Sequence, residues 1–302
     1  MDAKKQVYYQ YFKDEILPVI KPLELERIKT VRKVVFTSIL FFLTGAIFAA
    51  LFILNSVYSF LNPLILPVLL FLMYSFIIKS IINIMLTGKI YEKQLVGKVL
   101  PLFFEPIAKF RKWPEKDLET ILASKLFGNF DELEEPLCFF GYYNNTAIRI
   151  SDTRLTLPVR NSYKSYLFKG TMIRLELPKS INNHVILQSK ELKKTNNFKQ
   201  INPHIECLNN YLYCFAQKSD NVNFITDDFW NVIKDFGKLY IAKSFSLSYK
   251  NNVLLIAIKQ KKPMQFGFLF KSLLKPENYD ELIERFIIIY KLIDCINKNI
   301  IL

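Results

Sequence analysis

The side chains able to carry chemistry in this 302-residue chain are few and scattered. His204 and Cys207 stand three residues apart, a spacing that could pair a thiol with a base or begin a zinc site. The chain offers one further histidine, His184. Its four cysteines (Cys138, Cys207, Cys214 and Cys295) include no CxxC pair, so no second pair of metal ligands follows. Carboxylates gather at Asp131, Glu132, Glu134 and Glu135, and again at Asp227 and Asp228. Paired carboxylates can do acid–base work. The first run lies beside Pro136, where a solvated loop is expected. The second follows Thr226, where acidic residues suit the first turn of a capped helix. No phosphate-binding GxxxxGK loop, GxGxxG, HExxH or GxSxG occurs, and 8 glycines leave little material for a phosphate cradle. These observations predict no catalytic residue, no metal and no cofactor.

The element around which the chain is organised is the stretch from Val34 to Ile78, which holds no Asp, Glu, Lys or Arg. A hydrocarbon core of about 30 Å takes about 20 helical residues, so the stretch suits two spans. The first is predicted over 34–54 and the second over 64–86, with a turn between Asn55-Ser56 and Asn62-Pro63. Pro63 and Pro67 fit the opening turn of the second helix. The Val, Ile, Leu and Phe residues of the first span favour insertion by roughly 4–8 kcal/mol. Tyr58 and Phe60 fall where an interfacial aromatic belt would lie.

Arg27, Lys29, Arg32 and Lys33 precede the first span. Lys79, Lys89, Lys93 and Lys98 mark the far end of the second, and the intervening loop has no Lys or Arg. The positive-inside rule then places both termini in the cytoplasm, as a multi-pass membrane protein. Arg32, Lys33, Lys79, Lys89 and Lys93 are the candidate contacts to anionic lipid headgroups, consistent with a formal net charge of +14. No nucleic-acid-binding motif accompanies that charge. Gly45, Ala46, Ala49 and Ala50 form two small-xxx-small pairs, which allow close helix approach either to the second span or to another copy of the chain.

Residues 4–31 read as a helix interrupted by Pro18 and Pro22, either lying on the membrane or packing on the C-terminal domain. Residues 89–110 read as helical, with breaks at Pro101 and Pro106. A helix opening at Trp113-Pro114 is predicted to bury Leu118, Ile121, Leu122 and Leu126 and to end at Gly128. From Leu137 the period becomes strand-like. A hairpin over 137–150 turns at Asn144-Asn145, and further strands are expected at 154–157, 163–168, 171–177, 184–188 and 208–216. Thr226 caps a helix stopped by Gly237. A second hairpin spans 239–259 across Lys250-Asn251-Asn252. A last helix opens at Pro276 and buries Leu282, Phe286, Ile289, Ile293 and Ile296. The fold class is α+β: an N-terminal helix, a two-helix transmembrane hairpin, and a cytoplasmic domain with an antiparallel sheet and flanking helices. The corresponding regions are 1–33, 34–86 and 87–302.

Several short motifs accompany this order: Leu25-Glu26-Arg27 before the hairpin, Phe168-Lys169-Gly170-Thr171 before a strand, Ile225-Thr226 with Phe229 at a helix start, Ser244-Phe245-Ser246, and Leu254 with Ile256-Ala257-Ile258. Together they resemble a bacterial family of two-span membrane proteins named only as domain of unknown function 3137. The resemblance implies a membrane hairpin carrying a cytoplasmic domain and brings no catalytic residues with it. The expected function is a non-enzymatic, membrane-anchored binding or scaffold protein, with a protein partner or a homo-oligomer. A lipid- or envelope-homeostasis factor and an enzyme of unidentified type are the alternatives. The abundance of aromatics, 27 Phe and 16 Tyr, suits an interface.

Overall fold

The computed structural model describes residues 3–58, 97–103, 108–111, 115–157, 165–188, 198–201, 213–218, 222, 224–240, 244–260 and 271–300, together with six positions between 71 and 82. The chain divides into two compact units. One comprises Met1–Tyr9, Pro101–Gln265 and Tyr279–Leu302; the other comprises Gln10–Leu100 and Phe266–Asn278.

The first unit is built on a seven-stranded antiparallel sheet: β1 (Ala108–Arg111), β2 (Glu132–Tyr143), β3 (Thr146–Thr156), β4 (Tyr166–Gln188), β5 (Lys199–Ile201), β6 (Tyr213–Ala216) and β7 (Ser244–Lys259). The β2–β3 turn falls at Asn144-Asn145, with φ of 45° and 57°. This is the left-handed geometry that Asn tolerates and a two-residue hairpin requires. The acidic run lies within β2 from Glu132 onward, where a loop was expected. Likewise, Ala108–Arg111 is a strand paired with β2 through Arg111 and Cys138, where the reading favoured helix.

β4 and β7 are the backbone of the unit. The separate strands predicted at 163–168, 171–177 and 184–188 are one strand, β4. Its first half pairs with β3 on one edge, its last four residues pair with β6, and β7 runs along the opposite edge of both. Pro178 does not end it, because the β4–β7 register shifts between Glu176 and Ile181, where a missing N–H costs no ladder bond. Nor is Asn251 a hairpin turn. Its φ of 55° serves the irregularity opposite that bulge, and β7 continues through it. Gly170 lies inside β4, where a Cβ would meet the Ile258 carbonyl oxygen at 2.0 Å.

Both faces of the sheet are covered. On one, Ile121 joins Leu133, Leu155, Phe168, Met172 and Leu255 in a core cluster. Ile121 belongs to a helix of only six residues, Leu118–Ala123, called α4 below; Lys125, at φ 57°, follows its C-cap Ser124. The longer helix predicted to end at Gly128 does not form, and Leu118 and Leu122 are exposed. Alternation sends Ile148, Ile150, Ile173 and Ile256 to the other face. There α5 (Asp227–Leu239) packs on α6 (Asp280–Ile300), and α6 touches β4. The Thr226 side chain caps α5 by accepting from Phe229 N–H at 3.2 Å. Gly237 does not stop α5, which runs on to Leu239. On α6 all five predicted core residues are buried, as are Ile283, Ile287 and Leu292 beside them.

The N-terminal residues of this unit lie on α6. Tyr8 stacks 6.3 Å from Phe286, and Lys5 Nζ reaches Asp280 at 2.9 Å and Glu284 at 3.1 Å. Of the two placements expected for the N-terminal helix, packing on the C-terminal domain is the one adopted by its first turns.

The second unit is dominated by one helix. α1 (Ala3–Tyr11) leads through a π-helical stretch, Phe12–Ile16, into α2 (Leu17–Tyr58). Pro18 stands in the first turn of α2, where its N–H is dispensable, and the helix continues through Pro22. Phe12, Ile16, Ile20 and Leu23 form a buried stripe. No turn opens at Asn55-Ser56, since α2 remains helical to Tyr58; Asn62-Pro63 lies outside the described residues. A short helix, α3, covers 97–103. The second predicted span lies outside the described residues except for Phe71, Tyr74, Ser75, Ile78, Lys79 and Ile82, each helical and exposed.

Candidate functional site

Among the described residues, one helix is long and apolar enough to cross a membrane, and almost none of its most apolar stretch is buried. The surface it offers is that of the predicted first span: Phe36 is 70% and Phe42 72% exposed, with Ile39, Leu43 and Ile47 beside them. Such an apolar surface is costly in water and ordinary in lipid. The polar side chains of the segment are satisfied internally. Thr37 Oγ1 donates to Lys33 O at 2.8 Å, Ser38 Oγ to Val34 O at 2.9 Å and Thr44 Oγ1 to Leu40 O at 2.8 Å. Bonds from a hydroxyl to the preceding turn leave no donor facing the hydrocarbon.

Below the apolar segment, Arg32 and Lys33 are exposed, at the level where headgroups would lie. Lys79 is exposed as well, while Lys89 and Lys93 lie outside the described residues. Ala46, Ala49 and Ala50 are exposed, and a Cβ added at Gly45 would meet nothing within 4 Å among the described residues.

Three turns before the apolar segment, Glu24 is buried on α2. Its carboxylate accepts two 2.8 Å bonds from Arg27, one from Ser272 Oγ at 3.1 Å and one from Leu273 N–H at 2.9 Å. Burial works against the charge, but Arg27 and the Leu273 amide outweigh it and hold the carboxyl below its ordinary range. The sequence treats Glu24 as one of several lead-in charges; nothing local signals a partner 248 residues away.

On the sheet, Arg149 of β3 and Arg174 of β4 are cross-strand neighbours. Arg149 bonds the Glu135 carboxylate and the Glu115 carbonyl, and its guanidinium lies 4.7 Å from the centre of the Phe140 ring. Arg174 bonds Asp117 at 3.1 Å and Glu176 at 3.0 Å. Two members of the acidic run are thus held in ion pairs, Glu135 by Arg149 and Glu134 by Arg154 at 3.6 Å. Asp117, which opens α4, pairs with Arg174 in place of capping its helix. This network fastens residues 115–123 to the sheet. A groove of about 340 Å³ beside it is lined by Ser124, Arg174, Ser248 and Lys250 among others.

Two of the lining residues, Ser124 and Ser248, meet the buried His184: its Nε2 lies 2.9 Å from Ser248 Oγ and 3.2 Å from the Ser124 carbonyl oxygen. A serine–histidine contact suggests a nucleophile and its base. The carbonyl decides otherwise: it can only accept, so Nε2 carries the proton and cannot take one from Ser248. Burial lowers the His184 pKa to about 4, the Ser124 bond offsetting it in part, so the imidazole is neutral near pH 7. His204 and Cys207, whose spacing could have paired a thiol with a base, lie outside the described residues. Cys138 and Cys214 are buried, which raises each thiol to about 12 and leaves no thiolate. Asp227 and Asp228 are exposed in the first turn of α5. Among the described residues no group of three His, Cys, Asp or Glu could hold a metal.

No protein-family model matches this chain, and no curated protein matches it. Among solved structures it is similar to the mycobacterial trehalose monomycolate transport factor A, TtfA. The identity is 12% and the TM-score 0.35, over 62% of this chain and 88% of that one. A likeness that weak carries no argument about function.

The residues missed from sequence are Arg149, Arg174, His184 and Glu24. The available signal was a charged or titratable side chain inside a run of strand-forming or apolar-periodic residues, a position that demands a partner.

Proposed function

We propose that this protein is a membrane-anchored, non-enzymatic binding or scaffold factor of a bacterial inner membrane, related to the two-span family it resembles. The observation that carries the reading is the exposed, uncharged, internally satisfied helical segment of α2 ending at exposed Arg32 and Lys33. In this reading residues 34–54 and 64–86 cross the bilayer and both termini are cytoplasmic. Arg32, Lys33, Lys79, Lys89 and Lys93 meet anionic headgroups, and the α+β unit presents its surface to a protein partner or a second copy. The small-residue face of Gly45, Ala46, Ala49 and Ala50 is the contact if the partner is another copy.

Purification in mild detergent, with the protein mass measured by light scattering, tests the scaffold reading. A stoichiometric partner or a mass that is a multiple of 35.6 kDa is expected. A lone monomer would count against it. The lipid reading is favoured by the exposed Arg32 and Lys33. It predicts that Arg32→Gln with Lys33→Gln weakens retention of co-purified anionic lipid at low salt, each Lys or Arg contributing about 1 kcal/mol.

A further inference from the structure

We propose that Glu24 is a latch residue of α2. Its carboxylate fastens the turn at Ser272–Leu274, just before α6, to the helix that carries the apolar span, and that turn is released when the carboxylate is lost.

The case rests on how completely the contact is built. Glu24 lies ten residues before Val34, on the buried side of α2 with Ile20 and Leu23. Arg27, one turn on, grips both of its oxygens, which fixes the rotamer before any other partner arrives. The two remaining bonds come from Ser272 and Leu273, and Leu273 is fully buried. Ser272 is the centre of its own local knot. Its hydroxyl accepts from Leu274 N–H at 3.3 Å, and its carbonyl accepts from Asn278 Nδ2 at 2.6 Å. Ser272 Oγ therefore donates to Glu24 and accepts from Leu274, and the fold of 272–278 depends on one carboxylate of a distant helix. The next residues, Pro276–Tyr279, form the 3-10 turn that enters α6. A polar latch of this kind, with four donors converging on one charge, holds while all are present and loses most of its strength when the charge goes. Apolar packing would lose strength gradually. The latch deepens the anchoring reading, because α2 is the helix read as the span, but its test does not require a bilayer.

Hydrogen exchange of the full chain in detergent, read by mass spectrometry on peptides covering 271–275, tests the latch. Glu24→Gln keeps the shape and one acceptor oxygen but removes the charge and the second acceptor. Exchange of the Leu273–Leu274 amides is expected to accelerate at least tenfold, with peptides from β4 and α6 unchanged. Ser272→Ala, which leaves α2 intact, is expected to give a smaller acceleration in the same peptide and carries the test if the first variant does not fold. Unchanged exchange at 273–274, or equal acceleration throughout the chain, would overturn the latch. Either result leaves the membrane reading untouched, and loss of the membrane reading would leave the latch standing.

Discussion

His184 Nε2 lies 3.2 Å from the carbonyl oxygen of Ser124, a residue sixty positions earlier at the end of α4. That bond sets the imidazole tautomer and ties the α4 turn to β4, while Ser248 supplies the β7 side of the same contact at 2.9 Å. The histidine is a structural rivet. Ser248 should therefore fail to react with a fluorophosphonate probe, and His184→Ala should lower stability by about 2–4 kcal/mol through a cavity and two orphaned polar groups. Covalent labelling at Ser248 would refute the tautomer assignment.

Two buried titrating groups pull stability in opposite directions in acid. The His184 pKa falls to about 4 in the fold, against 6.5 for the free side chain. The unfolded chain binds the extra proton between those values, so stability is lost as pH falls through that window. Asp152, on β3, is buried with Oδ1 lacking a hydrogen-bond partner. Burial lifts its pKa from 3.8 to about 6, against the pull of Arg154 and Lys169. Here the folded chain binds the extra proton, so stability is lost as pH rises from about 4 to about 6. Each contribution is worth about 3 kcal/mol, and the two largely cancel. Asp152→Asn removes one of them. It should stabilise the protein at pH 7 and expose a loss of about 3 kcal/mol on acidification from pH 6.5 to 4. Urea unfolding followed by fluorescence of the buried Trp230 reads this directly, and parallel wild-type and variant pH curves would contradict it.

At Gly170 the backbones of β4 and β7 leave no room for a side chain. Because a Cβ there would lie 2.0 Å from a backbone oxygen and not from a flexible side chain, the strands must part to admit it. Gly170→Ala is expected to cost about 2–4 kcal/mol, at the high end for overpacking, in the same unfolding measurement. A cost below about 1 kcal/mol would mean that the two strands are not held at this register.

The local signals in the sequence were faithful where a single short motif decides the structure. Thr226 caps α5, Asn144-Asn145 turns β2 into β3, and the spacing from Leu282 to Ile296 forms the buried side of α6. They failed where a neighbour overrides them. The strands expected at 163–168, 171–177 and 184–188 are one strand, β4, which passes through Gly170 and Pro178: the second falls at a register shift and the first meets β7 too closely for any side chain. Asn251 has the backbone angle of a turn residue and spends it on a strand irregularity. Glu24, His184 and Arg149 could not be paired from sequence, since their partners are set by tertiary packing.

The hairpin tip is pinned to α6 by the Asp294 carboxylate, which accepts from Asn144 Nδ2 at 2.9 Å and from Tyr143 Oη at 3.1 Å. Asp294→Ala should cost about 1–2 kcal/mol and raise exchange at the 143–146 turn before any other part of β2 or β3. An unchanged turn would show that the Tyr143–Tyr290 ring contact, at 4.3 Å, and the Asn297 bonds to Asn144 O and Thr146 Oγ1 suffice without it.

The membrane disposition of α2 can be read directly. In spheroplasts of a bacterial host, a membrane-impermeant maleimide should label a Ser56→Cys variant of the full chain. It should leave the wild-type cysteines unlabelled until the cells are lysed. Labelling of Ser56→Cys only after lysis, or of the wild-type chain in intact spheroplasts, would contradict a first span that crosses the membrane with the α+β unit inside.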